Sequence, residues 1–386
     1  MLAPESELMA DTESSAPYAH WMLREIYEQP ATLKATLSRY VDRDHFRVDA
    51  CAPVRAWLRA AKREIVIAAS GSSRHAGMVG ELMIEDLSGI AVDVEYASEY
   101  CYRSEKALKN AAVLVISQSG ETADTLAALR KATLAGHHTL AITNVAHATM
   151  AREATGSFPT EAGLERAIPA TKSFTAQLLN LYLLSLLVAE AHAAVSASEL
   201  QTLLAELATI PALIESQLEA WEHCIRAIVG HHRSAENFFF LGRGIHYPIA
   251  REGALKLKES AYLHAEGYPT GELKHGPNAL VGEKMPLVIL ATVDHTDAGS
   301  VERYQKSLHL IGDMRRQGAT ILAVANTGDQ AVAALTPYVI PVHETRESLL
   351  PLCEVIPLQF LAYFMAINNG VDVDHPRNLT KAVLAE

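Results

Sequence analysis

Val113-Leu114-Val115-Ile116-Ser117-Gln118-Ser119-Gly120-Glu121-Thr122, continued by Ala123-Asp124-Thr125-Leu126-Ala127-Ala128-Leu129-Arg130, decides how the chain folds. An apolar run of strand length stops at hydroxyl residues around one glycine, and an apolar pattern of helical period starts at once. The segment therefore predicts a strand, a tight loop and a helix. Ser119 or Thr122 is placed to cap the helix, and Glu121 suits its first turn. Backbone N–H groups at such a helix start form a seat for phosphate. A capped helix after a buried strand, with no ligand, gives the same pattern, so the neighbouring segments must decide.

Outward from this stretch, strand and helix alternate. Arg63 to Ala69 is a β-branched run ending at Ser70-Gly71-Ser72-Ser73, with a helix expected from Ala76 to Leu87. Ala91 to Tyr96 alternates as a strand, and Gly136 to Asn144 is another. The pattern is that of a parallel sheet wrapped by helices. It is then repeated: Gly136 to Asn144 resembles Gly318 to Asn326, and Glu64 to Asp86 resembles Asn237 to Glu259. The counterpart of the opening loop, Leu287 to His295, keeps the strand but lacks the serine and glycine cradle. The expected plan is an acidic tail and helices over 1–50, a first α/β domain over 51–199, a helical connection over 200–230 broken near Pro211, a second domain over 231–370, and a tail over 371–386. His20 to Pro30 reads as a short helix stopped by proline, with Ala31 to Tyr40 as a second.

At 386 residues the chain has room for two cores, and 49% apolar residues argue against disorder. A formal net charge of −12 and no basic stripe argue against nucleic acid or an anionic membrane as partner. The four cysteines lie far apart, without zinc or disulfide spacing, which fits a cytoplasmic protein. The start is acidic, with no signal-peptide core. Leu178 to Val188 falls short of a membrane span and is expected as a helix buried at a domain or subunit interface.

In open α/β sheets ligands sit beyond the carboxyl ends of the strands, so Ser70 to Ser73 and Ser117 to Thr122 should face one crevice and suit a small phosphorylated metabolite. Neither a nucleotide-triphosphate loop nor a dinucleotide fingerprint is present. Glu252 to Pro277 packs ionisable groups between apolar ones. A helix carrying Glu259 should lead into an irregular loop presenting His275, and carboxylate and imidazole are side chains suited to proton transfer. A solvated helix face with a capping histidine reads the same way. The paired histidines His137-His138 and His231-His232 point apart on a helix or strand, so no metal site is expected. The polar, proline-punctuated segment from Asn369 to Glu386 has the composition of a fraying tail. Its Lys381 is either solvated or an amine for Schiff-base chemistry.

Together, Ser117 to Thr122, Glu252 to Pro277 and Asp372 to Lys381 resemble the sugar isomerase (SIS) family, and within it the isomerase half of the glutamine–fructose-6-phosphate aminotransferases. The resemblance runs from about His20 to the end. It implies two similar flavodoxin-like, doubly wound parallel-sheet domains in tandem, a homodimer, and action on a hexose 6-phosphate without metal or organic cofactor. By that resemblance Ser117, Gln118, Ser119 and Thr122 bind the phosphate and Ser73 contacts the sugar. Glu259 moves a proton between C1 and C2, His275 opens the ring from across the dimer interface, and Lys381 forms a Schiff base with fructose 6-phosphate. Two departures stand out. Leu2 stands where the family's glutaminase domain has its nucleophilic cysteine, so no glutaminase activity is expected of this chain, and Ala170 replaces a sugar-facing serine.

The resulting expectation is a glucosamine-6-phosphate deaminase and isomerase that uses free ammonia. Alternatives are the isomerase subunit of a split synthase fed by a separate glutaminase, and a non-catalytic phosphosugar-binding regulator.

Overall fold

The computed structural model describes residues 14–60, 64–104 and 111–384. The acidic tail expected before Ser15 lies almost wholly outside them. The first sheet comprises β1 (Glu64–Ala69), β2 (Ala91–Tyr96), β3 (Ala111–Ser117), β4 (Thr139–Thr143) and β5 (Gly156–Ser157). They lie in the order β2-β1-β3-β4-β5, with every neighbouring pair parallel. The second sheet comprises β6 (Asn237–Gly242), β7 (His264–Pro269), β8 (Leu287–Ala291), β9 (Ile321–Asn326) and β10 (Tyr338–Val342), parallel throughout in the order β7-β6-β8-β9-β10. Both sheets thus have the doubly wound 2-1-3-4-5 order, whose direction reverses between the first and third strands.

Five helices matter for the site: α1 (Gly71–Ser88), α2 (Ala123–Leu134), α3 (Lys172–Ala191), α4 (His246–Ala261) and α5 (Leu350–Asn368). Alternation along the strands sends residues to two faces. Ile65 and Ile67 of β1 join Phe240 of β6, Leu290 of β8 and the side chains of α3 and α5 in one core shared by both halves. Val66 and Ala68 face the other way, into a core with Leu129 of α2. Phe239 and Ile289 do the same in the second half. Helices α3 and α5 are long and apolar enough to cross a membrane, but both are buried along nearly their whole length. A helix apolar all round belongs inside a protein, as expected for Leu178 to Val188. Where α1 crosses α3, a Cβ on Gly80 would lie 2.7 Å from Leu181 Cδ2, so the close approach requires glycine.

Several local expectations are corrected. Pro30 does not stop a helix; it sits in the first turn of Gln29–Tyr40, where its missing N–H costs nothing. Pro211 does not break the connection, because Ala197–Glu215 runs through it. The buried face of Leu203, Leu207, Ile210 and Ile214 continues past the proline, and that packing outweighs one lost hydrogen bond. The chain turns instead at Ser216 and Gln217, before Leu218–His231. Helix α1 begins at Gly71 rather than Ala76, so Ser72 and Ser73 belong to its first turn. Between α4 and His275 the chain forms β7, a strand that its glycine and proline disguised.

The final segment is held rather than frayed. The Asp374 carboxylate accepts the backbone N–H groups of Trp21 and Met22 at 2.9 and 2.8 Å, capping the first described helix, Trp21–Tyr27. The Ala123 N–H at the start of α2 donates to the Val383 carbonyl at 3.0 Å.

Candidate active site

The two hydroxyl-rich segments do meet. They follow β1 and β3, neighbours at the point where strand order reverses. Around them opens a cavity of about 270 Å³ lined by Ser73, Ser117, Gln118, Ser119, Thr122, Glu259 and Lys381, among others. Seven of the eight residues singled out in the sequence therefore share one crevice. The eighth, His275, does not line it: it is exposed on the 3-10 turn Glu272–His275.

The loop after β3 is shaped by its own hydroxyls. Ser117 Oγ accepts the Gly120 N–H at 3.1 Å and lies 3.0 Å from Thr122 Oγ1, while Ser119 Oγ accepts the Glu121 N–H at 3.2 Å. Thr122 is the residue at the helix cap position, but its side chain makes no capping bond. Glu121 was expected to serve the first turn of α2; its carboxylate instead accepts the Thr149 N–H at 2.7 Å, at the start of Thr149–Glu153. Gly120 adopts φ +67, and a Cβ there would stand 2.4 Å from that of Ala148. One further hydroxyl escaped the sequence reading. Thr125, in the first turn of α2, is buried, lines the cavity and has no hydrogen-bond partner for Oγ1. A threonine inside a helix carries no sequence mark of such a role.

The opposite wall is ionic. On α4, Glu252, Lys256 and Glu259 are spaced to share one helix face. Lys256 Nζ donates to Glu259 Oε2 at 2.5 Å and stands 3.4 Å from Glu252 Oε1. Burial pulls the Lys256 ammonium toward its neutral form, but the charges of Glu259 and Glu252 more than offset this, and its pKa is raised. Glu252 is fully buried and accepts from Ser72 Oγ at 2.8 Å and from His75 Nδ1 at 2.8 Å. Burial would raise its pKa; Lys256 and these two bonds hold it below the usual carboxylate range.

From the tail, Lys381 Nζ reaches Glu165 Oε2 at 2.5 Å and the Ala167 carbonyl at 2.7 Å. Glu165 also accepts the N–H groups of Thr171 and Ser173 at 2.9 and 3.0 Å and the Ser173 hydroxyl at 2.6 Å. Burial works against the Glu165 charge, but Lys381 and Ser173 outweigh it and lower the pKa. Ala170, where a serine was noted as missing, lines the same cavity.

The equivalent crevice of the second sheet is built differently. Beyond β6 and β8 lie Asp294, Glu347 and Glu354, with His246 Nδ1 2.8 Å from Glu354 and its Nε2 3.3 Å from Glu347. Burial favours neutral His246, but the two carboxylates prevail and raise its pKa to about 9. Carboxylates paired with His246 and Arg303 occupy the crevice beyond β6 and β8, in place of the hydroxyl cradle of the first sheet. Among the described residues, the first sheet alone ends in such a hydroxyl-lined crevice.

Two sheets of the same doubly wound order, one of them ending in a hydroxyl cradle faced by a lysine–glutamate wall, define a tandem α/β protein with a ligand crevice at the end of its first sheet. Residues 58–187 and 232–369 both match the SIS domain, and the chain belongs to the SIS-domain family. It is 42% identical over 371 residues to the glutamine–fructose-6-phosphate aminotransferase (isomerizing) of Chlorobaculum tepidum, matching 96% of this chain but 59% of that protein. The chain thus spans little more than half the length of that relative. Among solved structures, the C-terminal domain of glucosamine-fructose-6-phosphate aminotransferase from Francisella tularensis superposes with a TM-score of 0.87 at 35% identity, covering 94% of this chain and 100% of that one. The glucosamine-6-phosphate deaminase of Thermotoga maritima shares the fold, with a TM-score of 0.70 at 23% identity over 94% of this chain and 99% of that one.

Proposed function

We propose that this chain is a phosphosugar isomerase that interconverts glucosamine 6-phosphate with fructose 6-phosphate and ammonia. The observation that carries this is the shared cavity: a hydroxyl cradle at the start of α2 faces Glu259, Lys256 and Lys381. The cradle suits a phosphate, held by Ser117, Ser119 and Thr122 with Gln118 beside them, and Ser73 is placed for a sugar hydroxyl. The carbons at the other end then lie against the α4 wall.

In the deaminating direction the opened aminoaldose presents its C2 proton to Glu259, which removes it and returns a proton to C1. Through the enaminol between them, nitrogen gives up a proton and O1 gains one, so the 2-amine becomes a ketimine and C1 an alcohol. Lys381 exchanges with that imine, releasing ammonia, and water then frees the ketose and regenerates the amine. Lys256, bonded to Glu259, fixes the carboxylate and supplies positive charge beside the developing enolate oxygen. His275 enters as the ring-opening group of a second copy, which suits its place on an exposed turn. Purified protein given glucosamine 6-phosphate should release ammonia and fructose 6-phosphate in equal amounts; no product in either direction would refute the reading.

A second reading rests on the curated relatives being aminotransferases that extend well beyond the matched region. Here the ammonia comes from glutamine, released by a glutaminase that works with this chain. Glucosamine 6-phosphate formed from fructose 6-phosphate and glutamine only when a glutaminase protein is added would favour it over free ammonia.

A further inference from the structure

A second cavity, of about 400 Å³, lies at the carboxyl ends of β6 and β7 and shares no lining residue with the crevice described above. Its volume falls in the ordinary range of small-molecule sites. Arg243 follows β6 and Thr270 follows β7, and the Thr270 N–H bonds the Gly242 carbonyl at 2.8 Å, which holds the two residues side by side. Helix Ala298–Arg316 supplies Glu302 and Lys306, and the turn carrying His275 supplies Lys274.

The polar groups here are unevenly matched. Lys306 pairs with Glu302 at 2.6 Å and Lys274 with Asp313 at 2.5 Å. Arg243 makes no ion pair within 4 Å among the described residues, although Glu302 lies near enough to feel its charge, and its buried Nε has no acceptor. Thr270 is 2% exposed, and its Oγ1 also lacks a partner. A buried donor left without an acceptor carries its desolvation penalty uncompensated, and more so when it is charged. Two such donors on one cavity wall call for a shared acceptor with several oxygens and negative charge.

We propose that this cavity is a second, noncatalytic anion site that takes a phosphate monoester or free phosphate. The oxyanion accepts from the Arg243 guanidinium and the Thr270 hydroxyl, with the carboxylate-paired Lys274 and Lys306 at the rim. Because Lys274 adjoins His275, an occupant ties the turn bearing His275 to the end of the second sheet.

The test is calorimetric titration of the full chain carrying Ser119→Ala and Thr122→Val, which weaken the first crevice, with inorganic phosphate and with fructose 6-phosphate in separate runs. One binding event should remain, and adding Thr270→Val or Arg243→Gln should weaken it at least about 10-fold, the change expected from losing one charge-assisted bond. Binding of inorganic phosphate identifies free phosphate as a sufficient occupant; binding of the sugar phosphate alone identifies a monoester site. Absence of any residual binding, or residual binding unaffected by both added variants at unchanged melting temperature, would overturn the proposal. The two added variants are independent, so a folding defect in one leaves the other to decide.

Discussion

Lys381 Nζ lies 2.5 Å from Oε2 of Glu165, a buried carboxylate that reaches the tail from 216 residues earlier in the chain. The Schiff-base amine of the proposed reaction is thus tethered to the first half of the fold, where the hydroxyl cradle also lies. Removing one partner of a buried ion pair costs about 3–5 kcal/mol, and less here because the Lys381 side chain is 25% exposed. Glu165→Gln should lower stability by roughly 2 kcal/mol and make the tail more sensitive to trypsin. Lys381→Arg should keep the tether, yet abolish the covalent adduct trapped by borohydride with fructose 6-phosphate. An adduct retained in Lys381→Arg would place the amine elsewhere.

In the proposed reaction the hydroxyl cradle only binds the phosphate, so its hydroxyls should act on ground state and transition state alike. Ser119→Ala should raise KM for the sugar phosphate by about 10-fold or more, the worth of one bond to a charged group, with kcat little changed. Steady-state kinetics separates the two constants. A fall in kcat alone would assign Ser119 to the chemistry instead.

Gly120 holds the loop in a conformation that side chains resist. Its φ is +67 and its missing Cβ faces Ala148 at 2.4 Å and Thr143 Cγ2 at 3.1 Å. Gly120→Ala should therefore cost roughly 2 kcal/mol or more of stability, from left-handed strain and the clash together. Denaturant unfolding with an unchanged m-value would record it.

His246 makes the second half of the protein sensitive to alkali. Its pKa is raised from 6.5 to about 9 in the fold, so the stability it contributes is complete below pH 6.5 and is lost as pH rises through about 9. Above that range Glu354 loses its imidazolium partner, while Glu347 keeps only Arg303. The melting temperature should fall between pH 7 and 10. His246→Gln should be much less stable than wild type at pH 6, with the gap closing toward pH 10. A constant gap across the range would contradict the assignment.

The strand–loop–helix reading of Val113 to Arg130 transferred almost unchanged because every local signal in it agrees: β-branched burial, a glycine with positive φ, and a helical apolar period. The duplication was legible for the same reason, since both halves repeat the strand that precedes the crevice. What escaped was set by tertiary context. Strand β7 contains Gly267 and Pro269 and takes its place from pairing with β6. The path through Pro211 is decided by a buried face, and the fixed tail by Asp374 and Lys381 finding partners far away in sequence. At the site, Glu259 and Lys381 were visible as residue types, whereas Thr125 and Lys256 acquire their places only when α2 and α4 turn toward one cavity.

Glu259 carries the central claim, that this crevice moves a proton between C1 and C2 of a phosphosugar. The measurement that bears on it most directly is turnover of glucosamine 6-phosphate by Glu259→Gln beside wild type, with phosphosugar affinity measured on both. Loss of a positioned general base predicts a fall in kcat of about 10²–10⁴-fold with affinity nearly preserved. Turnover at the wild-type rate in the variant would contradict the account.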